Sequence, residues 1–83
     1  MISIESIRKK ILHLYESDPH IHVNVAMNHP RIQLQNAPVT LKGVYPHIFQ
    51  IEEYSRGVPE CHTLQYADIL SGQVGIVELG RLG

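Results

Sequence analysis

Eighty-three residues, 43% of them hydrophobic and 18% charged, make one folded domain (1–83) with a modest core, not a disordered tail. The single cysteine excludes an internal disulfide and suits a reducing, cytoplasmic setting, and no apolar run reaches the roughly 18 residues of a membrane span. A formal charge of −1 gives the surface as a whole no attraction for nucleic acid.

The first residues place their charges behind Met1 and Ile2, with no long apolar stretch after them, so no signal peptide is expected. Residues 3–17 read as an amphipathic helix. Ile4, Ile7, Ile11, Leu14 and Tyr15 recur at helical spacing, while Glu5, Ser6, Lys9, Lys10 and His13 take the other side. Ser3 is the expected N-cap. Asp18-Pro19 ends the helix, because the residue before proline is driven out of the α region.

His20 to Met27 alternates, with Ile21, Val23, Val25 and Met27 on one side, and predicts a half-buried strand. Asn28-His29-Pro30 is a turn. Arg31 to Gln35 alternates again, and Asn36-Ala37-Pro38 is expected to interrupt it as a turn, a bulge or an edge. Val39, Leu41 and Gly43 share one face, with Gly43 at a bend or bulge. Tyr45-Pro46 is a corner. His47 to Tyr54 and Glu60 to Tyr66 form a hairpin around a loop in which Gly57 takes positive φ. Ala67 to Ser71 suits a 3₁₀ turn, Gln73 to Leu79 a last strand, and residues 80–83 a frayed end. One helix and five or six short antiparallel strands predict a mainly β domain. The expected architecture is a small SH3-like β-barrel over 20–79, capped by the helix.

Chemistry-bearing residues are scattered. His20 and His22 leave one strand face about 7 Å apart, but Cys61 and His62 point to opposite faces of theirs and cannot complete a zinc site with them. The six histidines read as solvated surface. Cys61 has no residue to orient it as a nucleophile. Neighbours on a strand, such as Glu52 and Glu53, cannot form a carboxylate dyad on one face. No catalytic residue, metal site or cofactor is expected.

Two kinds of surface remain. Arg31, Lys42, Tyr54 and Arg56 could serve single-stranded nucleic acid, by charge and by stacking, as an alternative function. The stripe of Ile7, Ile11 and Leu14 either caps the barrel within one chain or pairs with its copy in a homodimer.

The helix from Ile4 to Ile11, the apolar strand after Pro19, the run Thr40-Leu41-Lys42-Gly43-Val44-Tyr45-Pro46-His47-Ile48-Phe49-Gln50-Ile51 and the later Leu64-Gln65-Tyr66-Ala67-Asp68-Ile69-Leu70 together resemble the Veg protein family of low-GC Gram-positive bacteria. The matching order and spacing run from about Ile4 to Val77. The resemblance implies an SH3-like barrel without catalysis and a regulatory role. It implies stimulation of biofilm formation, by protein–protein interaction that opposes a DNA-binding transcriptional repressor of matrix genes. The Tyr45-Pro46 and Tyr66-Ala67-Asp68 motifs are carried over as framework. The chain departs from the family at Met27-Asn28-His29-Pro30-Arg31, where Veg-like chains have a loop rich in glycine and arginine, and this puts a shared nucleic-acid contact in doubt.

Overall fold

The computed structural model describes residues 3–28, 31–54 and 57–82, the last three of these by backbone alone. The order is α1 (Ile4–Ser17), β1 (His20–Asn28), β2 (Arg31–Val44), β3 (Ile48–Glu53), β4 (Glu60–Gln65), α2 (Tyr66–Leu70), β5 (Val74–Ile76) and α3 (Val77–Leu82).

Helix α1 starts where its cap requires. Ser6 N–H donates to Ser3 Oγ at 3.2 Å and Ser3 N–H donates to Ser6 Oγ at 3.1 Å, so two otherwise unpaired amides are satisfied reciprocally. Lys9 Nζ stands 3.7 Å from Glu5 Oε1 one turn back, an exposed pair contributing a few tenths of a kcal/mol. At the other end Asp18 is extended, with φ −154°. Ile7, Ile11 and Leu14 are buried within this one chain, at 4%, 0% and 7% exposure. They pack into this chain's own core, beneath the helix. The sheet is wide enough to cover the stripe, and each such side chain contributes about 1.5–3 kcal/mol on burial.

The five strands form one antiparallel sheet in the order β4-β3-β2-β1-β5. It does not close into the expected barrel. The return strand is short: β5 pairs only with Val23 to Val25 of β1, and from Val77 the chain is helical instead of continuing as strand. Edges β4 and β5 thus stay apart in the hydrogen-bond ladder, and α1 lies over the inner face. The 3₁₀ turn expected after β4 is the α-helical turn α2; of the segment expected to fray, residues 80–82 belong to α3 and Gly83 lies outside the described residues.

Alternation decides what faces inward. Ile21, Val23 and Val25, then Val39 and Leu41, Phe49 and Ile51, Leu64, and finally Val74 and Ile76 form the core with the helix stripe and Tyr66. The outer face carries His20, His22, Asn24, Lys42, Glu52, Cys61 and Thr63.

Two bulges bend β2. Residues 36–38 do not end the strand. Val23 pairs with Ala37 and Val25 with Leu34, so Asn24 faces an extra residue. Asn36 takes φ 48°, and its N–H donates to Asn24 Oδ1 at 2.8 Å. Pro38 sits opposite His22, whose N–H turns away to Glu78, so proline's missing donor breaks no bond between the two. The second bulge falls between Leu41 and Gly43, as the glycine predicts.

Candidate functional site

The residues marked for nucleic acid do not form one patch. Arg31 opens β2 beside Asn28, while Lys42 lies near its far end, on the order of 30 Å away at about 3.3 Å rise per residue. Lys42 and Tyr54 do meet, but over an acid. Lys42 Nζ is 3.9 Å from Glu52 Oε1, and the Tyr54 hydroxyl donates to the same oxygen. That hydrogen bond, ahead of desolvation and the carboxylate's charge, raises the Tyr54 phenol above its ordinary pKa. Cys61 Sγ contacts Glu52 Oε2 at 3.9 Å. The lysine charge thus has an acidic neighbour on its own face, while its side chain stays about half exposed at 47%. Arg56 lies outside the described residues.

The histidines on β1 are engaged separately. His20 Nδ1 is 3.3 Å from Thr40 Oγ1, and His22 Nδ1 is 2.9 Å from Glu78 Oε2. A shallow groove along His20, His22, Pro38, Thr40 and Tyr54 crosses the outer face, with Ile21 and Val39 at its floor. Among the described residues no helix is long and apolar enough to cross a membrane.

The edge strand β4 has a defined polarity. Tyr66 N–H donates across to His47 O at 3.4 Å. By alternation the main-chain groups of Glu60, His62 and Leu64 then face β3, and those of Cys61 and Thr63 face outward. The next outward amide, Gln65 N–H, is capped by Asp68 Oδ2 at 3.3 Å. Cys61 and Thr63 therefore offer a short run of open edge, on which Cys61 is exposed.

The inner face holds a cluster that sequence reasoning missed. Glu53 continues the inward series of Phe49 and Ile51, yet it is a glutamate and is 5% exposed. Glu60 is its direct partner across the hairpin, and His62 is two residues further along β4 on the same face. His62 Nε2 lies 3.3 Å from Glu53 Oε1, and one ligand-type atom from each of the three falls within 4.8 Å of the others. The available signal was the E-x-H spacing of Glu60 and His62 together with the hairpin register. No family model, curated protein or solved structure matches this chain.

Proposed function

We propose that the chain is a small non-enzymatic interaction protein of the cytoplasm that acts in gene regulation. In this reading it opposes a DNA-binding transcriptional repressor, as its resemblance to the Veg family implies. The observation that supports it is the open edge of β4, where Cys61 and Thr63 turn their main-chain groups outward. An extended partner segment can add there as a sixth strand, with main-chain hydrogen bonds supplying affinity. The connection order also supports reading the sheet as an opened SH3-like fold: a meander from β1 to β4, a short helix, and a return of β5 onto β1.

The test uses Thr63→Pro, which removes one outward donor without touching the core. Wild-type protein is expected to capture its repressor partner and release it from DNA in a mobility-shift assay. Thr63→Pro, still folded by circular dichroism, is expected to lose both effects. Equal capture by the two proteins rules out the edge. Tight binding of single-stranded DNA or RNA at low salt, with a steep loss as salt rises, favours the nucleic-acid reading instead.

A further inference from the structure

We propose that Glu53, Glu60 and His62 form a zinc site that clips the open ends of β3 and β4 together. The site is independent of the partner-binding reading and lies on the opposite face of the sheet from Glu52 and Cys61.

Two observations carry it. The first is convergence. Glu53 and Glu60 are paired in register, His62 is on the same face, and the three ligand-type atoms lie within 4.8 Å. The second is an unmet need. The Glu53 side chain is only 7% exposed. Its Oε1 has the His62 contact, but its Oε2 is buried with no hydrogen-bond partner among the described residues. A carboxylate taken out of water with one oxygen unpaired is costly, and a cation between it and its neighbours removes that cost.

The donor set selects the ion. Two ligand atoms held about 2.0–2.1 Å from one tetrahedral zinc lie about 3.3–3.4 Å apart. The separation of His62 Nε2 and Glu53 Oε1 is 3.3 Å. Only Glu60 has to close in, and it is exposed and free to change rotamer. An imidazole with two carboxylates suits zinc better than the all-oxygen shells of calcium or magnesium. Three protein ligands leave one position for water on the Glu60 side. The clip joins strands at the mouth of the 54–59 loop, in a domain small enough to gain from a staple.

The experiment is calorimetric titration of chelator-treated full-length protein with zinc chloride, alongside the absorption spectrum of the cobalt(II) form. One zinc per chain, a melting temperature that climbs with zinc concentration and a tetrahedral cobalt spectrum are expected. Glu53→Gln, His62→Asn and Glu60→Gln are each expected to weaken binding at least about tenfold. The doubly substituted His20→Asn, His22→Asn protein is expected to bind as wild type. Glu60→Gln changes an exposed side chain, so it gives an answer even where Glu53→Gln does not fold. The proposal is overturned by absence of saturable binding. It is equally overturned by affinity that survives in folded His62→Asn or Glu60→Gln, or that disappears with His20 and His22.

Discussion

The Tyr66 hydroxyl donates a 2.5 Å hydrogen bond to the main-chain oxygen of Tyr45. This one contact ties the Tyr45-Pro46 corner to the turn that begins α2. The Tyr66 ring is fully buried and stacks on Phe49, with centroids 5.5 Å apart. Residues far apart in sequence are thereby fixed to each other through one phenol. Tyr66→Phe keeps the ring and removes only the hydrogen bond, at an expected cost of about 1 kcal/mol. Tyr66→Ala empties the site and is expected to cost about 3–5 kcal/mol. Urea unfolding midpoints distinguish the two. Equal losses in both variants count against a separate role for the hydroxyl.

A different close approach explains Gly43. A Cβ placed there lies 2.7 Å from Cε2 and from Oη of Tyr45. The neighbour is the far end of a side chain that is 46% exposed, so it can swing away, though its packing over the bulge is then lost. Gly43→Ala is expected to cost about 1 kcal/mol beside Tyr45 and close to nothing in a Tyr45→Ala background. A double-mutant cycle on thermal unfolding measures this. Additive losses mean that the glycine is needed for some other reason.

Much of this arrangement was legible in the chain. The helical spacing of Ile7, Ile11 and Leu14, the alternation through β1 and β3, and the bulge at Gly43 all follow from local periodicity and backbone sterics. Other features depend on partners that periodicity does not name. Of the turn, bulge or edge that Asn36-Ala37-Pro38 left open, the structure has the bulge, and the strand runs on through Pro38 because His22 directs its N–H to Glu78. Val77-Glu78-Leu79 is as apolar as a strand, yet it turns helical, so the sheet remains open. Glu53 was invisible as a site because an alternation rule assigns it a face without saying what waits there. Glu60 and His62 reach it only through the register of the hairpin.

The first bulge gives a test of backbone strain. Asn36 takes φ 48°, in the left-handed region, where most side chains cost about 1–2 kcal/mol and asparagine less. Asn36→Gly is expected to be nearly neutral and Asn36→Ala to destabilise by about 1 kcal/mol. Asn24→Ala removes the acceptor for the Asn36 N–H and is expected to cost a similar amount, about 1 kcal/mol. Chemical denaturation of the three variants checks the order. Asn36→Gly as damaging as Asn36→Ala rejects the strain explanation.

Glu78 completes β1 where β5 stops. Its Oε1 accepts the His22 N–H at 2.8 Å, and its Oε2 meets the His22 ring Nδ1 at 2.9 Å. The carboxylate thus takes the amide that a longer β5 would have paired. Burial pushes the Glu78 pKa up, but the hydrogen bonds from the His22 ring and amide outweigh it and hold the carboxyl below its ordinary value. A carboxyl lowered in the folded state stabilises fully above its unfolded pKa of about 4.3 and loses that contribution as pH falls through the lowered value. Wild type is therefore expected to exceed Glu78→Gln in stability wherever the carboxylate is ionised. That margin shrinks as the carboxylate is protonated, on the acid side of its ordinary pKa. Glu78→Ala is expected to cost about 1–3 kcal/mol at neutral pH, since it also removes the acceptor for a strand amide. Urea titrations from pH 3 to 7 read the margin directly, and a margin undiminished at the acid end, where the carboxyl is protonated, contradicts the assignment.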